Sequence, residues 1–335
     1  MKMIATARAH PNIAFIKFWG LEDELNRIPA NGSLSMNIAP LATTTTVEFD
    51  SDLKEDALTL NGVKVTGESL LRAQHFMDRI RRLAGETVYA RIHSENNFPM
   101  GVGLASSASG FAALALAGTT ALGLDLSERA LSGLARFGSG SACRSIPGGF
   151  VEWLVDPMNG ESYAQSMAPP EHWDLADCIV VLSDDHKAVG SEVGMRSAHS
   201  SPLQDARVRD ADRRLEACRQ AILKRDFARL ARVTELDSNL MHAVMMTSDP
   251  PLYYWHPQSL AVMKAVKAWQ GEGLQVTFTL DAGPNVHVIT PQENVEEISQ
   301  CLRRMPGVLD VLIAVPGGPA ELVDETGYLR CERYN

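Results

Sequence analysis

The chain has five cysteines, Cys143, Cys178, Cys218, Cys301 and Cys331, and no C-x-x-C pair. An odd number without paired spacing excludes both a disulfide framework and a zinc ribbon, and predicts reduced cytosolic thiols. No apolar run reaches the roughly 18 residues of a membrane span. The first twenty residues, MKMIATARAHPNIAFIKFWG, hold only a short apolar stretch and no cleavage-site pattern. A cytoplasmic protein with no membrane partner is expected. Positive charge is also scarce: 31 Lys and Arg against 41 Asp and Glu leave a formal net charge of -10. That balance excludes non-specific nucleic-acid binding as the main task, while leaving room for a local basic pocket. The P-loop pattern G-x-x-x-x-G-K-[ST] is absent. The dinucleotide fingerprint fails too, because GVGLAS lacks the third glycine and follows the loop Asn96–Pro99. There is no internal repeat and no low-complexity segment.

What remains is a globular composition, 45% hydrophobic over 335 residues, a length that predicts two domains. Ile13–Trp19 reads as a strand with Lys17 among apolar neighbours. Thr43–Phe49 and Val88–His93 alternate as strands, and Asn61-Gly62 marks a two-residue hairpin. Glu68–Leu83, Ser106–Leu122 and Ser127–Phe137 read as helices, the last capped by its serine. The loop Gly138–Gly149 precedes a strand at Phe150–Val155, and the proline-rich Met167–Trp173 is the expected linker. Beyond it come a strand at Cys178–Leu182 and helices at Leu203–Lys224, Phe227–Leu240 and Pro257–Gln270. Strands Gln275–Leu280 and Val286–Ile289 flank a turn at Asp281–Asn285, before a helix at Asn294–Met305 and a strand at Val308–Val315. The order predicts an α+β fold, divided into residues 1–173 and 174–335.

The stretch Asn96–Ala115, NNFPMGVGLASSASGFAALA, carries the most chemistry. It sets a Gly- and Ser-rich turn at the start of a helical run, where unpaired N–H groups and the helix dipole suit phosphate. Gly101, Gly103, Ser106, Ser107 and Ser109 offer close backbone approach and hydroxyls. An ordinary capped helix explains the same letters equally well.

Four segments stand together: PNIAFIKFWG, GVGLASSAS, GSGSACR and TFTLDAGPN. At these residues, and over about Ala7 to Ala314, the chain resembles the GHMP kinase superfamily. Within it, the resemblance is to the diphosphomevalonate decarboxylase family and its phosphomevalonate decarboxylase and mevalonate 3-kinase relatives. The glycine-serine motif alone points to the superfamily; the other three segments point to the decarboxylase branch. The resemblance implies a two-domain GHMP kinase fold, with an N-terminal domain like ribosomal protein S5 domain 2 and a ferredoxin-like C-terminal domain. It also implies a homodimer and ATP-dependent decarboxylation in which a tertiary 3-hydroxyl is phosphorylated, then phosphate and carbon dioxide leave.

The resemblance also assigns roles. Asp281 is the acceptor for the hydroxyl proton, although an Asx-turn would use the same residue. Lys17 is a buried cation needing a partner such as Asp281 or a bound carboxylate. Arg144 offers a planar fork to the substrate carboxylate. Asn12, Phe18, Ser139, Gly140, Ser141 and Met195 complete the expected substrate site. ATP is expected over Gly101, Gly103, Leu104, Ala105, Ser106, Ser107 and Ser109, with Asn96 and Asn97 on the nucleotide side and Ser107 near Mg²⁺. Arg72 reads better as a helix-surface residue, and Asn12 suits a turn after Pro11 as well as the site.

Departures from the family pattern bear on the substrate. Where diphosphate-using members carry Tyr and Lys, this chain has Phe18 and Leu21, and a position that is Arg in some bacterial members is Glu192. Each charge-assisted phosphate contact is worth about 1.5–3 kcal/mol, so these losses favour a substrate with one phosphate, 5-phosphomevalonate, yielding isopentenyl phosphate. Compensation by Arg196 or Lys187 would keep diphosphomevalonate as the alternative. A mevalonate 3-kinase and a non-catalytic sensor fit less well, because Asp281, Lys17 and Arg144 are all kept.

Overall fold

Thr43–Asp50 and Tyr89–Asn96 alternate buried and open positions along their length, as a sheet with one covered face requires. They anchor the first of two main sheets in the computed structural model, which describes residues 3–98, 106–156, 160–183 and 190–324. The strand order is Glu321–Val323, Ile4–Ala9, Thr43–Asp50, Tyr89–Asn96, Ala57–Leu60 and Val63–Lys64. All pairs are antiparallel except Ala57–Leu60 with Tyr89–Asn96. The expected hairpin closes on Asn61 and Gly62, with φ of 48° and 76°, the left-handed pair that a tight two-residue turn demands.

Helices α1 (Glu68–Ala84) and α2 (Ser106–Ala121) cover this sheet, and α3 (Glu128–Gly138) packs beside α2 in the same core. The α2 helix is buried around most of its circumference because small alanines face both the sheet and its neighbours. A Cβ on Gly118 would lie 2.8 Å from Ile80, so the close approach of α1 and α2 depends on that glycine. The Ser127 hydroxyl accepts from Ala130 N at 3.3 Å, as its cap position predicts.

The second sheet runs Ser162–Ala168, Phe150–Val155, Ser33–Ala39, Asp310–Pro316, Leu175–Val181, Val286–Pro291 and Thr277–Thr279, with Asn12–Ile16 also paired to Ser33–Ala39. It joins strands from both sides of residue 173, and one core containing Phe15, Phe150, Trp173, Leu215, Phe227 and Ile289 does the same. The proline-rich Met167–Trp173 is therefore packed rather than a loose tether: Ala168 ends a strand, Pro170–His172 forms a 3₁₀ turn, and Trp173 is buried. The remaining helices are α4 (Ser191–Arg196), α5 (Gln204–Arg209), α6 (Ala211–Lys224), α7 (Phe227–Thr247), α8 (Pro257–Gly271) and α9 (Val295–Arg303). The single helix expected over Leu203–Lys224 is broken at Asp210, whose carboxylate binds Arg213 and Arg214. The strand expected over Ile13–Trp19 ends at Ile16, where a register shift turns the chain toward the site. Among the described residues no helix is long and apolar enough to cross a membrane.

A buried ion pair ties α1 to its sheet. Arg81 donates to both Asp56 oxygens at 2.8 and 2.9 Å, and Ala90 N donates to Asp56 Oδ1 at 2.8 Å. Asp56→Ala leaves Arg81 with Asp78, at 2.6 Å, as its remaining acidic partner and is expected to cost roughly 1.5–3 kcal/mol. Urea denaturation measures it; a loss under about 1 kcal/mol would refute the pair's anchoring role.

Candidate active site

Lys17 follows the last residue of its strand and is almost wholly buried, at 1% exposure. Its Nζ lies 2.7 Å from Asp281 Oδ1, joining residues 264 apart in sequence. The lysine side chain is 2% exposed and that of Asp281 30%, so the carboxylate faces the open side with the ammonium behind it. Such a pair can present an ionised acceptor to a hydroxyl while paying the burial cost of the cation.

Both ends of the pair are held by α7. Asp237 accepts from Lys17 N at 2.6 Å through one oxygen and from Arg214 Nε at 2.7 Å through the other. Arg207 and Asn31 both donate to the Lys17 carbonyl, at 2.8 and 3.0 Å, and Arg214 donates to the Arg207 carbonyl at 2.9 Å. The next residue, Ser238, accepts from Leu280 N at 3.0 Å, and His242, just over a turn on, hydrogen-bonds the backbone of Leu280 and Asp281. The Asp281–Asn285 turn is pinned from outside as well: Asn285 Oδ1 accepts from Leu182 N at 2.7 Å, and Ser259 of α8 donates to the Pro284 carbonyl at 2.6 Å. None of Arg207, Arg214, Asp237 and His242 was singled out from sequence. The available signal was charge inside an apolar stripe, since Arg207, Ala211, Arg214, Leu215, Cys218 and Ile222 recur at helical spacing.

Arg144 lies in the 3₁₀ turn Gly140–Ser145 and is 3% exposed. It donates to Ser35 at 3.0 Å, Ser33 at 2.6 Å and the Asn12 carbonyl oxygen at 3.1 Å. Asn12 in turn donates to Ser145 at 2.8 Å and the Ser141 carbonyl at 3.2 Å, so it orients the guanidinium and the loop together. Burial lowers the Arg144 pKa, and the nearby Asp281 charge opposes that. Among the described residues Arg144 has no carboxylate within ion-pair distance. A buried guanidinium held only by neutral groups is suited to an incoming anion.

Phe18 covers this loop, edge-on to Trp153 with ring centroids 4.6 Å apart. A Cβ on Gly140 would fall 2.6 Å from the Phe18 ring, so glycine permits the contact. Ser139 Oγ lies 3.4 Å from both Ser141 Oγ and Ser107 Oγ, bringing the expected substrate loop against the start of α2. Met195 packs against the apolar cluster that includes Trp19 and Ala282. It also lines, with Leu21, an open cavity of about 420 Å³ bordered by Glu24, Arg196 and His199.

A second cavity, about 220 Å³, opens between α1, α2 and the first sheet. Asn96, Ser106, Ser107 and Arg72 give it polar groups, and Leu60 and Phe111 an apolar wall. Asn97 is placed differently: its amide donates to the Pro40 carbonyl at 2.8 Å and accepts from Ala42 N at 2.8 Å. Ser109 is buried against Thr43 at 2.6 Å. Gly101, Gly103, Leu104 and Ala105 lie outside the described residues, as does Lys187. Glu192 is ion-paired: one oxygen takes Arg27, the other Arg72 at 3.0 Å.

Two family models match the chain: a diphosphomevalonate decarboxylase-like N-terminal domain over residues 9–164, and a mevalonate 5-diphosphate decarboxylase C-terminal domain over 178–313. The diphosphomevalonate decarboxylase of Ganoderma lucidum is 38% identical over 324 residues, covering 89% of this chain and 81% of that protein. The phosphomevalonate decarboxylase of Haloferax volcanii is 35% identical over 326 residues, covering 97% and 99%. A solved structure of MDDEF in complex with MVAPP, AMPPCP and magnesium superposes with a TM-score of 0.90 at 37% identity, covering 96% of this chain and 99% of that one.

His242 supplies a test of the α7 platform. Burial, reinforced by the charge of Lys17, pushes its pKa down from 6.5 to about 3, against its backbone hydrogen bonds. A base depressed in the fold is protonated first in the unfolded chain. Its contribution is therefore complete above its ordinary 6.5 and is lost as pH falls toward about 3, at roughly 1.4 kcal/mol per pH unit. His242→Gln is expected to flatten the fall in Tm between about pH 6.5 and 4 relative to the unmodified protein. Parallel Tm–pH curves for the two proteins would contradict a neutral buried His242.

Proposed function

The chain belongs to the diphosphomevalonate decarboxylase family, with its two-domain GHMP kinase fold, and from that premise we propose that it decarboxylates (R)-5-phosphomevalonate. ATP is the phosphoryl donor, and the products are isopentenyl phosphate, ADP, phosphate and carbon dioxide. The observation that carries the chemistry is Asp281 on the buried Lys17, at 2.7 Å, close to an Arg144 that has no acidic partner among the described residues. Asp281 takes the proton of the 3-hydroxyl as that oxygen bonds to the terminal phosphorus of ATP, while Lys17 holds the carboxylate in place. Arg144 grips the substrate carboxylate. The C3–O bond then breaks with phosphate leaving, and the electrons of the breaking bond to the carboxylate form the alkene.

The cavity beside Asn96, Ser106 and Ser107 suits a nucleotide, with an apolar wall for a base and hydroxyls toward the substrate loop. ATP and Mg²⁺ are supported by the AMPPCP and magnesium bound in the similar structure. Mg²⁺ supplies charge neutralisation during phosphoryl transfer. No group of three or more His, Cys, Asp or Glu able to hold a metal occurs among the described residues. This fits an ion held chiefly by phosphates and water, with Ser107 as the protein hydroxyl. We take residues 1–173 and 174–335 as the two domains, a division supported by family models that end at 164 and resume at 178.

The monophosphate preference is supported by Phe18 and Leu21, which offer no hydrogen bond to a second phosphate, and by the carboxylate of Glu192 beside the site. A second reading, diphosphomevalonate as substrate, is favoured by the names of most similar relatives and by the MVAPP complex. Purified protein with Mg-ATP and, separately, mevalonate, 5-phosphomevalonate and 5-diphosphomevalonate decides between them, following ADP and carbon dioxide. Higher kcat/KM with 5-phosphomevalonate is expected; preference for the diphosphate would sink the monophosphate reading, and ADP without carbon dioxide would indicate a kinase. Asp281→Asn is expected to abolish turnover and leave ATP binding largely intact, whereas full activity would remove Asp281 from the chemistry.

A further inference from the structure

Glu192 stands on the short helix α4, in the C-terminal half of the chain, and reaches two arginines from different elements of the N-terminal half. Arg27 lies between the paired strands Leu21–Asp23 and Ile28–Pro29 and adopts a positive φ of 49°. Arg72 comes from α1, where its Nε donates to the Gly138 carbonyl at 2.9 Å and its guanidinium lies 4.9 Å from the Phe111 ring centroid. Gly138 immediately precedes Ser139, and Arg72 also lines the proposed nucleotide cavity. Through Arg72 the cluster reaches both the nucleotide cavity and the backbone that leads into Ser139.

Resting on the monophosphate reading above, we propose that Glu192 sets substrate choice by acting as a built-in anion. Its carboxylate, seated between Arg27 and Arg72, takes the cationic positions that a second substrate phosphate would need. The carboxylate does not simply repel; it also occupies the donors. A planar carboxylate accepting from one guanidinium on each oxygen occupies a donor of each arginine and halves the positive charge that the two present. A diphosphate entering beside Ser139 would meet two arginines already paired and the negative charge that pairs them. One residue therefore weakens attraction and adds repulsion, the combination on which discrimination between near-identical ligands depends. Partial burial opposes ionisation of Glu192, yet Arg72 and then Arg27 hold its pKa below the usual glutamate range, so it remains an anion at neutral pH. Arg72 in turn feels the positive charge of Arg27, so loss of the carboxylate leaves two neighbouring cations without their shared counter-ion.

Glu192→Gln tests the idea, because it keeps the side chain's size and removes its charge. The ratio of kcat/KM for 5-diphosphomevalonate to that for 5-phosphomevalonate is expected to rise about tenfold or more over the unmodified protein, the equivalent of one regained charge-assisted contact. Adding Arg27→Gln should take back most of that gain. A ratio within about twofold of the starting value, or one that moves toward the monophosphate, would overturn the proposal. If a variant loses turnover, calorimetric binding of the two compounds reads the same ratio as dissociation constants. The unmodified protein's own preference is a separate result: were it for the diphosphate, the monophosphate reading would fall. The change caused by Glu192→Gln would still decide whether Glu192 acts as the internal anion.

Discussion

The site depends on how the main chain at Lys17 is held. Arg214 and Asp237 are wholly buried and joined at 2.7 Å, and the second Asp237 oxygen fixes the Lys17 amide. A buried ionic cluster of this kind is a poor way to gain stability, because desolvation offsets most of the attraction. It is a good way to fix direction. Hydrogen bonds from Arg207 and Asn31 to the Lys17 carbonyl leave the peptide groups on either side of the lysine with defined partners. The ammonium is then delivered to Asp281 from a residue that no longer belongs to a regular strand.

The same helix supports both sides of that ion pair. Asp237, Ser238 and His242 lie within two turns of α7; the first holds Lys17, the other two the backbone leading into Asp281. Relative placement of two groups 264 residues apart is thereby reduced to the geometry of one helix. The second sheet adds a similar economy. Ser33–Ala39 pairs with Asn12–Ile16, Phe150–Val155 and Asp310–Pro316, and supplies Ser33 and Ser35 to Arg144. The strand that joins the halves of the molecule also supports Arg144.

What was legible in the sequence was local. Asn61-Gly62 declares its turn because few residues accept a left-handed backbone, and Ser127 declares a helix start because its hydroxyl replaces a missing partner. The motifs carried Lys17, Asp281 and Arg144 through resemblance, since their meeting depends on chain separations that no local pattern encodes. Arg207 and Arg214 stayed hidden because charged residues on helices usually face water. Glu192 was legible as an unfavourable charge near phosphate, but not as half of two ion pairs, because Arg27 lies 165 residues away. Asn96 and Asn97 are both expected on the nucleotide side, and the end of an alternating strand with the turn beyond it sends the two amides to different neighbours.

Cys143 sits between Ala142 and Arg144, in the middle of the 3₁₀ turn Gly140–Ser145, yet its thiol is buried and donates to the Gly140 carbonyl at 3.0 Å. Burial pushes its pKa up to about 12, outweighing the neighbouring arginines. Nucleophilic sulfur chemistry requires the thiolate, so this sulfur is in effect a hydrocarbon-sized spacer beneath the loop. The turn that carries Arg144 is thus shielded from alkylating and oxidising agents at its own cysteine, and any sensitivity to them is set by residues elsewhere on the molecule.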